Sequence, residues 1–204
     1  RTFATKPDYS VRYWKSKNLN PPFVETRSLL LRRFDHVFRD IPEKVDGRFF
    51  KLNSFAEQGW DLPGKVDLTI TSPPYFGMAT YLSDQWLRLW FLGGKPEVDY
   101  RVKSQMGSGS QEQFTKKLAT VWNKTAKVSN SNAQMVIRFG GIPSINRKPP
   151  FDILKNSLEM AGKWEIISKF NAGIPKSQRR QANQMIKKPG NYIEEFDLLC
   201  KLKE

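Results

Sequence analysis

The residues whose types and spacing could do chemistry lie in one short segment, Thr71-Ser72-Pro73-Pro74-Tyr75. Each proline lacks a backbone N–H and fixes φ, and a residue before proline is pushed into an extended conformation, so Ser72-Pro73-Pro74 predicts a stiff loop with outward carbonyl oxygens. A substrate with an NH₂ group could donate one hydrogen bond to the Ser72 hydroxyl and another to the Pro73 carbonyl. The Tyr75 ring could stack on the flat group that bears the amine. The segment therefore indicates a binding site for an aromatic amine.

The elements around this loop predict how it is positioned. The apolar positions Val66, Leu68 and Ile70 predict a strand that ends at the prolines, and ligands of open α/β sheets bind outside the carboxyl ends of strands. Further along, helices are predicted over 81–92, 111–127 and 151–162, and strands over 49–52, 133–139, 164–170 and 192–202. This alternation predicts an α/β fold with a doubly wound, mostly parallel sheet and an antiparallel final strand.

The N-terminal part of the chain predicts a separate region. Residues 1–20 mix aromatic and cationic side chains without a period and predict an irregular arm, while 23–38 predict a helix. We therefore divide the chain into an arm and helix over 1–46 and a catalytic domain over 47–204. Within the second region, the helical spacing of Trp86, Trp90 and Phe91 predicts a face packed in the core.

Charge indicates a polyanionic partner. The 204 residues contain 34 lysines and arginines against 20 aspartates and glutamates, a net charge of +14, which is more than solubility requires. The sequence has no apolar run of membrane-spanning length and no basic amphipathic helix. The predicted partner is therefore nucleic acid and not a membrane. The densest cationic stretch precedes the final strand and predicts DNA contact, with an ordinary solvated loop as the alternative; its cations are Lys176, Arg179, Arg180, Lys187 and Lys188.

Cysteine and histidine usage excludes several classes of chemistry. The only cysteine is Cys200 and the only histidine is His36. An internal disulfide, a zinc cluster and a multi-histidine metal site are therefore excluded, and no metal is predicted. Such a chain fits a reducing, cytoplasmic compartment.

At Ser72 to Tyr75 the sequence resembles the amino-methyltransferases of DNA, whose catalytic motif is Asp, Asn or Ser followed by Pro-Pro and an aromatic residue. KVDLTITSPPYFGM resembles the catalytic strand and loop of the cytosine-N4 group, and NAQMVIRFGG resembles its next strand. The resemblance covers about residues 47–202 and implies a Rossmann-like methyltransferase fold, whole or partial. It also implies methyl transfer from S-adenosylmethionine to an exocyclic amino group of a base flipped out of duplex DNA. Serine at the first motif position favours cytosine N4 over adenine N6.

The same resemblance implies where the cofactor binds. After the strand that corresponds to 49–52, the family commonly has an acidic residue near the adenine of the cofactor. Asn53 occupies that position here. The alternative interpretation is that Asn53 only caps the end of the strand. We assign Asn53, Ser54, Thr71 and Phe139 to cofactor binding. The family's glycine-rich Phe-x-Gly-x-Gly loop has no match in the 204 residues. We therefore predict that a glycine-rich half lies elsewhere in the same polypeptide or in another one. The start of the sequence at Arg1, without a methionine, agrees with this prediction.

Two other functions stay open at this point. The motif recognises only an NH₂ group, so methylation of an exocyclic amine in RNA fits it as well. A non-catalytic nucleic-acid-binding subunit with the same fold and basic surface is the third possibility. Labelled methyl transfer to duplex DNA and to structured RNA separates the first two, and absence of transfer in the intact complex favours the third.

Overall fold

A computed structural model gives the fold of the chain. It describes residues 7–41, 43–50, 52–54, 60, 65–77, 83, 85–99, 106, 109–141, 149–173 and 195–203. The chain divides into two compact units, Arg1–Lys51 and Leu52–Glu204. The assignment of a catalytic domain to 47–204 stays a prediction.

The described residues of the first unit form two helices, α1 (Pro7–Ser16) and α2 (Thr26–Val37). The prediction of an irregular arm over 1–20 was wrong for α1: its proline opens the helix, Asp8 lies in the first turn and Lys15 in the last, each where the helix dipole favours it. In α2, the Glu25 carboxylate caps the N-terminus by accepting two backbone hydrogen bonds. No residue of α2 is buried, and Leu30 is 63% exposed.

The second unit is a mixed α/β structure, which confirms the predicted class. Its elements in chain order are β1 (Val66–Thr71), α3 (Trp86–Phe91), α4 (Gln111–Lys127), β2 (Ser129–Phe139), α5 (Pro150–Ala161), β3 (Trp164–Gly173) and β4 (Glu195–Leu202). The predicted helix over 111–127 is confirmed at both ends. Strand β2 begins four residues earlier than predicted, and part of the helix predicted over 81–92 lies outside the described residues.

The four strands form one sheet in the order β1-β2-β4-β3. β1 pairs with β2 in parallel, whereas β4 pairs antiparallel with both β2 and β3. The predicted antiparallel final strand is thus confirmed, and β1, β2 and β3 all run in the same direction. The sheet is mixed because β4, the last of the described strands, is inserted between β2 and β3.

Helices α4 and α5 cover one face of this sheet and are defined by clear end signals. Ser110 and Gln113 form a capping box at the start of α4, and Gly162 ends α5 with a left-handed φ of 69°. The core lies between these helices and the alternate residues of β2 and β4; its members include Phe114, Leu118, Trp122, Met135, Ile137, Phe139, Leu154, Leu158, Leu198 and Cys200. Helices on the opposite face, which a doubly wound sheet requires, stay a prediction.

The opposite face of the sheet has large apolar side chains at its surface. Leu68 and Ile70 of β1 are 50% and 75% exposed, and Phe170 of β3 is 56% exposed. On β2 and β4 this face has Arg138 paired with Asp197 through two hydrogen bonds of 2.8 and 2.7 Å. Among the described residues, β1 and β3 are the two edge strands of the sheet.

Two predictions about the core elements were wrong. Residues 43–50 form neither helix nor strand, and Phe49 is 95% exposed, so the strand predicted over 49–52 is absent from the described part of that range; a short apolar run forms no stable strand without a partner. The aromatic face of α3 was predicted to be core, but Trp90 is 48% and Phe91 83% exposed. Apolar spacing indicated a helix here without indicating what it packs against.

Candidate active site

The carboxyl edge of the sheet brings together segments from distant parts of the chain. Because β1 and β2 are parallel, the loop after Thr71 and the glycines after Phe139 lie at the same edge. β4 runs the other way, so its first residue, Glu195, lies there too, next to the pairing of Phe139 with Phe196. This is the edge where ligands of open α/β sheets bind, and the Ser-Pro-Pro-Tyr loop lies at it as predicted.

The loop is graded in burial from its first residue to its last. Ser72 is exposed, whereas Pro73, Pro74 and Tyr75 are partly buried. Gly77 follows with a φ of 82°, a left-handed conformation that glycine adopts readily. The hydroxyl of the first motif residue is therefore accessible, while the aromatic end of the loop is fixed against the protein.

Tyr75 is held from two directions. Its hydroxyl donates a hydrogen bond of 2.5 Å to Oε1 of Glu195. Its ring meets the Phe139 ring edge to face, with centroids 5.5 Å apart and planes at 76°, a geometry that aromatic pairs prefer. Tyr75 is partly buried and packs against the hydrophobic core without being one of its fully buried members.

Gly140 makes this arrangement possible because it has no side chain. A Cβ built on Gly140 would lie 2.9 Å from Cγ of Glu195 and 3.3 and 3.4 Å from two ring atoms of Tyr75. In the structure, the space beside Gly140 is filled by the two side chains that form the hydrogen bond.

A layer of aromatic rings supports the loop from within. Phe139 stacks on Phe114 with centroids 6.5 Å apart, and Phe114 also meets Phe76 at 5.6 Å. On the other side, Phe139 meets Phe196 edge to face. The ring below Tyr75 is thus part of a continuous aromatic contact that runs through the core to helix α4.

The predicted cofactor residues differ in where the structure places them. Thr71 is the partly buried last residue of β1, directly before the motif. The Phe139 side chain is fully buried, so only its backbone could face a ligand. Asn53 and Ser54 do not follow a described strand, which removes the positional reason for choosing them. Cofactor binding by these four residues stays a prediction.

The remaining predicted features are a basic segment and the absence of a metal. Lys176, Arg179, Arg180, Lys187 and Lys188 lie outside the described residues. Within the described ranges, histidine, cysteine, aspartate and glutamate side chains form no group of three or more that could hold a metal ion. None of the helices in that part of the chain has the length and apolar character needed to cross a membrane.

Two charged or titratable groups near the sheet have shifted pKa values. Hydrogen bonds from Arg138 lower the pKa of Asp197 below its ordinary value, and this pair lies on the sheet face opposite the core. Burial raises the pKa of the Cys200 thiol to about 12, so the thiol is protonated at neutral pH and is inert as a nucleophile.

Sequence reasoning missed Glu195. The residue is 120 positions away from Tyr75 along the chain, and no local spacing connects them. The only available signal was topological: once the final strand is antiparallel and adjacent to β2, its first residue must lie at the carboxyl edge of β2.

No protein-family model and no curated protein matches the chain. Among solved structures, the chain is similar to a provisionally assigned DNA modification methylase from Thermus thermophilus, with 14% identity and a TM-score of 0.39. The match covers 71% of this chain and 48% of the other, so the chain spans about half the length of that protein. The function proposed next rests on this chain's own residues.

Proposed function

We propose that the chain contains the base-binding part of an S-adenosylmethionine-dependent methyltransferase with a Rossmann-like fold, which modifies an exocyclic amino group, cytosine N4, of a base flipped out of duplex DNA. One observation carries the proposal. The Ser-Pro-Pro-Tyr loop leaves the carboxyl end of a parallel strand, with an exposed serine at one end and a tyrosine anchored at the other. A flipped base is the kind of flat, amine-bearing ligand that such a loop accommodates.

The chemistry follows from what these residues can do to an amine. S-adenosylmethionine supplies the methyl group when bound. The lone pair of an amine attached to an aromatic ring is delocalised into that ring, so the nitrogen is a poor nucleophile. The Ser72 hydroxyl and the Pro73 carbonyl can accept hydrogen bonds from the two N–H groups of the amine, which favours a tetrahedral nitrogen whose lone pair is localised. Catalysis by this chain is therefore positioning and electrostatics.

The described residues fit the amine better than they fit the cofactor. No glycine-rich turn of the family's type occurs in the sequence, and Phe139 is enclosed in the core. We propose that a glycine-rich segment of the same or another polypeptide pairs with the β1 edge and holds the methionine end of the cofactor. The position of β1 at an edge of the described sheet and its exposed Leu68 and Ile70 side chains support this, because an unpaired apolar edge strand favours pairing.

The decisive test is methyl transfer with a serine variant and its control. In the polypeptide or complex that supplies the glycine-rich segment, we expect transfer of labelled methyl to cytosine in duplex DNA. Ser72→Ala should lower the rate on the order of 10²-fold or more, since it removes one positioned hydrogen-bond acceptor. Ser131→Ala, at an exposed serine of β2, should have no effect. Equal rates for the Ser72→Ala and wild-type proteins would refute the site, and transfer to structured RNA but not to DNA would refute the substrate.

DNA contact by the basic segment is a separate part of the proposal. Its cations follow one another closely on a chain with a net charge of +14, and phosphate contacts depend on salt through counterion release. Replacing Arg179, Arg180, Lys187 and Lys188 by glutamine should weaken duplex binding and reduce the slope of log K against log salt by about 0.9 for each phosphate that is no longer neutralised. An unchanged slope would place the DNA path elsewhere.

A further inference from the structure

The contact between Tyr75 and Glu195 is the feature that the proposed chemistry does not yet use. The tyrosine hydroxyl donates to the glutamate, and both side chains press against the bare backbone of Gly140. The hydrogen bond ties the end of the motif loop to the first residue of β4, the strand that lies beside β2 at this edge. A loop residue is thus fixed by a strand that is distant from that loop along the chain.

The geometry fixes the ring rather than the backbone alone. Phe139 contacts Tyr75 edge to face, and the ring lies so close to Gly140 that an added Cβ would be 3.3 and 3.4 Å from two ring atoms, a tight contact. The Glu195 carboxylate then restricts movement of the hydroxyl end of the Tyr75 side chain. Hydrogen bonds to a carboxylate are about twice as strong as those between neutral groups, so this end of the ring is held firmly.

We propose that Glu195 is a positioning residue for methyl transfer: it holds the Tyr75 hydroxyl so that the tyrosine offers its ring, and not its hydroxyl, to the flipped base. The proposal rests on the function proposed above. A hydroxyl committed to Glu195 makes Tyr75 a stacking platform. The angle of that platform then decides how accurately the amine meets the Ser72 hydroxyl and the Pro73 carbonyl.

The proposal predicts that Glu195 and Tyr75 act as one unit. Removing either end of the hydrogen bond should lower kcat on the order of 10- to 100-fold, the loss expected for misplacement of about 1 Å, with a smaller change in KM for DNA. Tyr75→Phe keeps the ring and removes the hydroxyl, and Glu195→Ala removes the acceptor. Glu195→Gln retains an acceptor and should restore most of the activity.

The test is a double-mutant cycle in the complete enzyme, with methyl transfer and thermal unfolding both measured. We expect the Tyr75→Phe, Glu195→Ala double variant to be no slower than the slower single variant, because both changes break the same bond. Losses that multiply would refute the proposal, as would a Glu195→Gln variant as slow as Glu195→Ala. Glu165→Ala, at an exposed glutamate of β3, is the matched control and should leave kcat unchanged.

The two proposals fail differently. Absence of methyl transfer by the complete wild-type enzyme, on DNA and on RNA, would refute the proposed function. Transfer that depends on Ser72 but not on Glu195 would refute only the positioning role.

Discussion

Substitution of Gly140 by alanine tests the packing of the candidate site most directly. The added Cβ would lie 2.9 Å from Cγ of Glu195, whereas carbon atoms in contact are optimally about 3.5–4.0 Å apart. Glu195 or the backbone must therefore move by about 0.6–1 Å. Because overpacking of this kind costs about 1–3 kcal/mol, we expect a lower free energy of unfolding together with slower methyl transfer.

The expected loss can be separated from the ordinary effect of replacing a glycine. Gly140 does not have a left-handed φ, so alanine is conformationally permitted there and would by itself stabilise by about 0.4–1 kcal/mol through the unfolded chain. Gly47, which has no atom within 4 Å of a built Cβ and no left-handed φ, is the matched control. Because Gly47 lies in the first unit, Gly47→Ala should leave the unfolding of the second unit unchanged.

The assay is urea unfolding followed by tryptophan fluorescence, since Trp122 and Trp164 are buried in the core of the second unit. The second unit of Gly140→Ala should unfold at a lower urea concentration than that of wild type, and the second unit of Gly47→Ala at the same concentration as wild type. Equal stability of the two variants, with wild-type transfer rates in both, would refute the close packing of Tyr75, Glu195 and Gly140.

Three further predictions concern the rest of the second unit. Ser157→Ala removes the acceptor of the buried Trp122 indole N–H, and leaving that donor unsatisfied should cost about 1–3 kcal/mol in urea unfolding; an unchanged midpoint would contradict the bond. Cys200 should resist thiol reagents at pH 8 until the protein is denatured, and prompt reaction of the native protein would refute its burial. Because the pKa of Cys200 is raised from 9.0 to about 12, its contribution to stability should be intact below pH 9.0 and be lost as the pH rises towards 12. Because the pKa of Asp197 is lowered, its interaction with Arg138 stabilises the fold at pH values above the ordinary carboxylate pKa, and this stabilisation is lost as the pH falls below that value. Arg138→Gln should therefore make the loss of stability in acid less steep. An identical acid-unfolding profile would count against the pair.

Local signals predicted the helices of the second unit well. The Ser110-x-x-Gln113 box and Gly162 mark helix ends through hydrogen bonds within one turn, and such bonds depend on nearby residues only. The loop at Ser72 was predictable for the same reason, since proline restricts its own φ and the preceding residue. These features need no knowledge of the remaining fold.

Several features that depend on distant partners were not predicted, although the antiparallel direction of the final described strand was. The run at Phe49 has strand-forming residues but forms no described strand, and the aromatic residues of α3 have core-like spacing but large exposed areas. Glu195 is the clearest case, because its role depends on strand order and not on neighbouring residues. A sequence pattern indicates which surface is apolar or acidic, but only the three-dimensional pairing decides what that surface meets.

The central position of β4 has a consequence for how the sheet can assemble. β4 is the last of the described strands to be synthesised, yet it supplies every described hydrogen-bonded connection between β3 and the remainder of the sheet. Until residues 195–202 have left the ribosome, β2 and β3 are two separate edges, and pairing of distant strands is intrinsically slow. Assembly of this edge of the protein therefore waits for the synthesis of β4, and a nascent chain that stops before Glu195 exposes both β2 and β3 as unpaired templates for aggregation.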